Sequence, residues 1–193
     1  MNKRMWIGNA VALAFSGAAI AADPPAAPKP APEHEKLGYF VGHWTMEGTV
    51  KDSPMGPGGK MQSRDHCEWF DGGFAVVCKG KGSGPAGEMT NLGILAYSSE
   101  EKAYTYYGID NSGMVQMTVP RGTHDGDTWT YTDESKMGGK MVKSRYVIKE
   151  VSATSYTFHW DVQGNDGKWS TLVEGTETKK AKGAKKGRAA KKS

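Results

Sequence analysis

Apolar and polar residues alternate along most of the chain after residue 43, in short segments that are separated by turn residues. Because successive side chains of a strand point to opposite faces, this period of two predicts β-strands with one buried and one solvated face. The segments are rich in Val, Thr, Tyr, Phe and Trp, which favour strands. We expect strands near residues 43–51, 60–70, 74–82, 89–98, 102–109, 113–120, 127–132, 140–150, 154–163 and 168–178.

Clusters of Gly, Asp and Asn separate these segments, as at Asp71-Gly72-Gly73 and Asn165-Asp166-Gly167. Such residues accept the positive φ angles of tight hairpin turns. Short strands at even spacing with hairpin turns are typical of an up-and-down antiparallel barrel. The fold class is therefore predicted to be all-β, a single barrel of about ten strands. The only helix expected lies near residues 35–40, where it would close one end of the barrel as a plug.

The apolar face of each strand should point into the barrel, because water surrounds it. In the untidy eighth strand, Val142, Tyr146 and Ile148 are assigned to the inside. Whether the inward rings fill the barrel as core or line a cavity stays open. The side chains that we predict to line a ligand site are Trp44, Met46, Tyr104, Tyr106, Met117, Trp129, Tyr146, Phe158 and Trp160.

Several short motifs carry a family resemblance: Gly42-His43-Trp44, Cys67-Glu68-Trp69-Phe70 followed by Gly72-Gly73-Phe74, and Leu92-Gly93 ahead of Tyr97. Over about residues 35–178 the chain resembles the bacterial family called domain of unknown function 1579. That family resembles calycins, which include lipocalins, fatty-acid-binding proteins and nitrobindins. The resemblance implies a barrel of ten or nearly ten strands with an internal cavity, and it brings no agreed activity. The heme-ligating His of nitrobindins has no match, since residues 168–178 contain no His.

The first 22 residues have the features of a secretory signal peptide. Lys3 and Arg4 form a positive n-region, Ile7–Ile20 is mostly apolar, and Ala19-Ile20-Ala21 fits a cleavage site. The apolar run is shorter than the roughly 20 residues of a membrane span. We therefore expect a periplasmic or secreted protein without a transmembrane segment in its mature form.

Two further segments flank the predicted barrel domain, which spans residues 37–178. Residues 23–36 form a Pro/Ala-rich linker of polyproline II character. Residues 179–193 contain eight Lys or Arg and no acid, and composition predicts disorder there. Without that tail and the two leader cations, 15 basic residues face 21 acidic ones, a net charge of −6. The tail is either merely solvated or attaches the protein to an anionic envelope surface.

Cys67 and Cys78 flank the Asp71-Gly72-Gly73 turn, and two Cys in an exported chain suggest a disulfide. A four-residue loop over 71–74 would place them directly opposite each other on paired strands. A two-residue loop would offset them by two positions and strain the bond. Two reduced, buried Cys are the alternative. A redox-active pair is disfavoured because the Cys-x-x-Cys spacing is absent.

No motif in the chain predicts a metal, a cofactor or a catalytic residue. The five His are scattered without metal-ligand spacing. Gly82–Gly87 matches G-x-G-x-x-G, but strand signals on both sides replace the helix that phosphate binding requires. Four Met at 114, 117, 137 and 141 suggest either packing or a copper(I) site, and we favour packing.

These observations favour an exported lipocalin-like protein that binds a small, mostly apolar molecule and is not an enzyme. One alternative is a calycin-type heme protein or enzyme, which would need Arg145, His66 and Glu68 inside the barrel, with those faces reversed. Another is an envelope-associated structural protein attached by its basic tail. We expect a monomer or homodimer and no specific nucleic-acid partner.

Overall fold

The computed structural model describes residues 27–54, 56–113, 117–137 and 139–180. Ten antiparallel strands close into one barrel in the order β1-β10-β9-β8-β7-β6-β5-β4-β3-β2, as the alternating pattern predicted. The elements are a short helix α1 (Pro32–Lys36), a 3-10 turn (Leu37–Phe40), and strands β1 (Gly42–Val50), β2 (Gly59–Trp69), β3 (Ala75–Gly84), β4 (Gly87–Ser98), β5 (Ala103–Asp110), β6 (Arg121–Asp125), β7 (Thr128–Met137), β8 (Lys140–Ser152), β9 (Ser155–Gln163) and β10 (Trp169–Lys179).

The first and last strands close the barrel. β1 pairs with β2 on one side and with β10 on the other, in a continuous register from Trp44 opposite Lys179 to Val50 opposite Val173. A closed sheet presents no row of unpaired backbone groups, so the edge-strand problem of open sheets is removed. The burial pattern of the strands follows the period of two, and Tyr146 and Ile148 of β8 face inward as predicted.

Among the described residues, β5 and β6 have the fewest paired positions of any two neighbouring strands of the barrel. Only Tyr104 and Gly122 pair across this seam, whereas β4 and β5 pair from Asn91–Asp110 to Ser98–Ala103. The part of β5 from Tyr106 onward therefore has no described strand partner on its β6 side. This leaves an opening in the described sheet at one end of the barrel.

The sixth strand differs from the prediction of 113–120, because β6 spans Arg121–Asp125. Pro120 precedes it, and Pro has no backbone N–H to donate to a strand ladder. Met117 is consequently outside the strands and 85% exposed, so the prediction that it lines the interior is wrong. Val119, two positions further along, is also exposed.

The N-terminal plug is present and begins earlier than expected. α1 starts at Pro32, inside the segment assigned to the linker, and proline is favoured in the first turn of a helix. Phe40 is buried, and its carbonyl accepts a 2.6 Å hydrogen bond from the indole N–H of Trp44. Tyr104 donates a 3.2 Å hydrogen bond to the carbonyl of Glu33. No helix in the described part of the chain is long and apolar enough to span a bilayer.

The β2–β3 hairpin confirms the four-residue loop. Phe70 donates a 2.9 Å backbone hydrogen bond to Ala75, which encloses residues 71–74. Cys67 and Cys78 consequently lie directly opposite each other and form a disulfide, with their Cα atoms 4.0 Å apart. The bond joins the two strands on the face that points into the barrel.

We expect reduction of the Cys67–Cys78 bond to lower the melting temperature without unfolding the barrel at room temperature. The bond closes a short loop, which the chain-entropy model values at about 3 kcal/mol. A domain of this size loses about 2–4 °C per kcal/mol. Thermal melts followed by circular dichroism, with and without reductant, measure the shift. A double variant, Cys67→Ala with Cys78→Ala, should melt at the lower temperature and ignore reductant. Two free thiols in protein purified without reductant would contradict the prediction.

Candidate ligand-binding site inside the barrel

The interior of the barrel has a packed part and an accessible part. At the plug end, aromatic rings meet edge to face, with the centroids of Phe40 and Trp129 5.2 Å apart and those of Tyr104 and Trp129 4.8 Å apart. Other inward-facing side chains keep accessible surface although the sheet encloses them. These are Met61, Tyr106, Tyr146, Trp160, Val173 and Glu177.

The predicted lining residues divide between these two parts. The packed core takes five of them, all nearly or fully buried: Trp44, Met46, Tyr104, Trp129 and Phe158. Tyr106, Tyr146 and Trp160 adjoin the accessible part. Only these three therefore qualify as candidates for contact with a ligand.

Glu177 and Asp65 are inward-facing carboxyls whose pKa values burial raises, and neither was among the predicted site residues. Glu177 of β10 lies in register between Met46 of β1 and Tyr156 of β9, and it shares a hydrogen bond with Tyr156. Asp65 of β2 lies in register between Trp44 and Gly80. Asp65 accepts hydrogen bonds from the hydroxyl of Ser63 and the side chain of Asn91.

Burial governs the ionisation of both groups. The pKa of Glu177 is raised to about 7, chiefly by burial and also by the charge of Asp65, while the hydrogen bond to Tyr156 opposes the shift. Burial also raises the pKa of Asp65, against the hydrogen bonds from Ser63 and Asn91. The two carboxyls therefore act on one another across the same enclosed space.

Glycines on β3 and β4 make room for this polar group. A Cβ atom on Gly80 would lie 2.6 Å from Oδ1 of Asn91 and would overlap the Asp65 carboxyl. A Cβ atom on Gly93 would lie 2.9 Å from the ring of Tyr106. Contacts this short require the neighbour to move, so the glycines permit Asp65, Asn91 and Tyr106 to occupy their positions.

Four inward-facing tyrosines lie in this region, and we call Tyr106, Tyr131, Tyr146 and Tyr156 the tyrosine cluster. Tyr106 and Tyr146 stack with their ring centroids 5.7 Å apart, and Tyr131 lies 6.0 Å from Tyr106. Burial, reinforced by the charge of Glu177, raises the pKa of Tyr106 to about 12. The hydroxyl of Tyr131 is buried and makes no hydrogen bond to a described residue.

Strand periodicity could have identified this polar group. Counting back by twos from Cys67 places Asp65 and Ser63 on the same face of β2. The prediction selected inward positions by their apolar character, so carboxyls on an inward face were passed over. Glu174 and Glu177 of β10 look alike in the sequence, and only the register separates the outward from the inward one.

The residues of the enzyme alternative lie outside the barrel. His66 stacks on His43 on the outer face, with ring centroids 4.2 Å apart. Oε2 of Glu68 lies 3.6 Å from Nε2 of His66. Arg145 pairs with Asp161 at 2.7 Å and lies over the ring of Trp169. These residues therefore form no polar cluster inside the barrel.

The other motifs form no separate site among the described residues. Gly84 ends β3 and Gly87 begins β4, so the glycine-rich segment is a hairpin turn and no helix follows it. Met114 lies outside the described residues, and Met117 and Met141 are exposed. The described chain holds no group of three or more His, Cys, Asp and Glu that could bind a metal.

Two concavities lie on the outer surface of the barrel. The first, of about 590 Å³, extends over Gly48 and Gly175 between outward polar side chains. The second, of about 700 Å³, lies between the cations Arg64 and Lys79 and the apolar side chain of Ile109. Neither includes the tyrosine cluster.

Comparison with known proteins supports the fold and gives no activity. The model of a family described as "Protein of unknown function (DUF1579)" matches residues 29–179. A search of curated proteins found no match. The S-type phycobiliprotein lyase CPES from Guillardia theta is similar in structure, with a TM-score of 0.57 and 12% identity, covering 78% of this chain and 94% of that one. Rv2717c from M. tuberculosis has a TM-score of 0.56 and 12% identity, covering 78% of this chain and 99% of that one. Likeness at this identity establishes a shared fold alone.

We expect the stability of the barrel to fall as the pH rises from about 4.5 to about 7, through the ionisation of Glu177. The folded state raises the pKa of this group from 4.5 to about 7, so it binds the proton more tightly than the unfolded chain does. The free energy of unfolding should therefore decrease across this range by about 1–3 kcal/mol, allowing for partial solvent access. Urea unfolding at a series of pH values measures the slope.

The variant Glu177→Gln should lose this part of the slope. Glu174→Gln is the matched control, since Glu174 lies on the same strand and points outward. Equal slopes in the wild type and Glu177→Gln would show that Glu177 is not the titrating group.

Proposed function

Because this chain belongs to the DUF1579 family, whose description gives no activity, we propose from its geometry that the barrel binds a small, mostly apolar ligand. The ligand occupies the accessible part of the interior, beyond the packed plug end. The observation that carries the proposal is the accessible surface of Tyr106, Tyr146 and Trp160, which face inward from enclosed strands.

The contrast between the two parts of the interior supports this proposal. Protein cores are close-packed, and the plug end follows that rule with Leu37 and Trp129 fully buried. Large rings that face inward and keep accessible surface adjoin space rather than other side chains. Apolar and aromatic walls with a few polar groups are the usual composition of a small-molecule pocket.

Export belongs to the same proposal. The Cys67–Cys78 bond is compatible with an oxidising compartment. The predicted signal peptide and most of the basic tail fall on residues 1–26 and 181–193, which lie outside the described residues. We retain periplasmic or secreted location, and attachment of the tail to an anionic surface, as proposals from the sequence.

A neutral fluorescent probe such as Nile red tests the binding function, and we expect it to bind the wild type with a blue-shifted emission. Val173→Phe should weaken this binding at least tenfold, because Val173 faces the interior in register with Val50 and Trp160. Thr176→Phe is the control, since Thr176 is on the outer face of the same strand. Melting curves verify that both variants fold.

Binding that Val173→Phe leaves unchanged would place the probe outside the barrel. A wild type that binds no neutral probe, and that carries no small molecule in native mass spectrometry after purification from its own host, would contradict the proposed function.

A further inference from the structure

Asp65 and Glu177 lack a basic partner inside the barrel. None of the ion pairs between described residues involves either carboxyl. Lys179 follows Glu177 by two positions on β10, but its ammonium donates a 2.7 Å hydrogen bond to the carbonyl of Tyr39 and lies 4.7 Å from the ring of Trp44. This ammonium is therefore held at the plug end of the barrel.

Buried carboxylates without a cation are costly, because desolvation removes water that stabilised the charge. Proteins keep such groups when something else compensates them. The hydrogen bonds from Ser63 and Asn91 serve Asp65, and the one from Tyr156 serves Glu177. None of these hydrogen-bond donors carries a positive charge.

The tyrosine cluster adds the second feature of a cation site. The faces of aromatic rings attract ammonium groups, and the attraction strengthens when water is excluded. Tyr106 and Tyr146 present stacked rings to the same space. Besides burial, the charges of three carboxyls, Glu177, Asp65 and Asp110, raise the pKa of Tyr106, so this hydroxyl lies within electrostatic reach of all three.

An independent observation points to a ligand in this place. Tyr131 is only 1% exposed, and it faces inward in register with Tyr146. Its hydroxyl makes no hydrogen bond to a described residue. Because nearly all buried polar groups are paired, an unpaired hydroxyl within the tyrosine cluster points to a polar group supplied from outside the chain.

We propose that the interior site selects a ligand with a positively charged nitrogen on an apolar body, held by Asp65, Glu177 and the tyrosine cluster. This inference rests on the binding function proposed above and names its ligand class as organic amines and quaternary ammonium compounds. Anionic amphiphiles such as fatty acids are disfavoured, because their carboxylate would meet two others in an enclosed space.

Two probes of matched shape test the inference. (Naphthylmethyl)trimethylammonium is cationic, and neopentylnaphthalene is its neutral counterpart, with carbon in place of nitrogen. Quenching of the protein's intrinsic tryptophan fluorescence reports the binding of either probe. Competition with Nile red confirms that both probes occupy the same site. We expect the wild type at pH 8 to bind the cation at least tenfold more tightly than the neutral probe.

Variants assign this preference to the two carboxyls. Asp65→Asn combined with Glu177→Gln should weaken cation binding at least tenfold and leave the neutral probe within about twofold. The control is Glu174→Gln, which removes one negative charge from the outer face of β10 and should change neither affinity. The single variants Asp65→Asn and Glu177→Gln serve as well if the double variant does not fold.

The affinity for the cationic probe should depend on pH in a way that a purely structural role of Glu177 would not produce. The groups that face Glu177 are Asp65 from β2, Tyr156 from β9, Tyr106 from β5 and Tyr146 from β8. The quaternary probe does not titrate, so its affinity should rise between pH 5 and pH 8 as Glu177 loses its proton. Glu177→Gln should flatten this rise.

The outcomes separate this inference from the proposed function. Equal or tighter binding of the neutral probe, or a cation preference that survives the double variant, overturns the cation inference and leaves the binding function standing. Failure of both probes and of Nile red overturns the binding function and this inference with it. Tenfold cation preference that disappears in the double variant supports both.

Discussion

Closure of the sheet between β1 and β10 is the constraint on which the rest of the structure depends. This pairing joins Trp44 to Lys179 and Val50 to Val173, residues far apart in the chain. Once the register is set, every strand has one face toward an enclosed space and one toward water. A shift of one residue would exchange Glu177 with an outward neighbour and remove the polar interior.

The plug converts this closed sheet into a barrel with one packed end. Phe40 and Leu37 enter the interior and complete a core of buried side chains that includes Trp129. Stability can therefore come from one end of the barrel while the other end remains available to a ligand. The disulfide between Cys67 and Cys78 reinforces the hairpin whose strands carry Asp65 and Gly80.

The accessible part of the interior contains carboxyls and glycines, which are uncommon in a packed apolar core. Asp65 and Glu177 are desolvated carboxyls, and Gly80 and Gly93 leave room that the side chains of Asp65, Asn91 and Tyr106 occupy. Desolvated carboxyls and glycines inside a strand both reduce stability. Their presence together in one region, opposite a packed aromatic end, is the pattern expected of a site that binds rather than of a core that only packs.

Local pattern alone determined the strands, most hairpin turns, the plug and the opposition of Cys67 and Cys78, because strand period and turn chemistry act over a few residues. The sixth strand was misplaced. It was predicted before Pro120, because the apolar residues around Met117 alternate as in a strand, whereas β6 begins after this proline. Tertiary structure alone decided which inward residues pack and which adjoin space, since Trp129 and Tyr146 have the same pattern in sequence. It also decided that the charge of Asp65 acts on Glu177. The two carboxyls lie on strands near opposite ends of the chain, and barrel closure brings these strands close together. No local signal in the sequence encodes that closure.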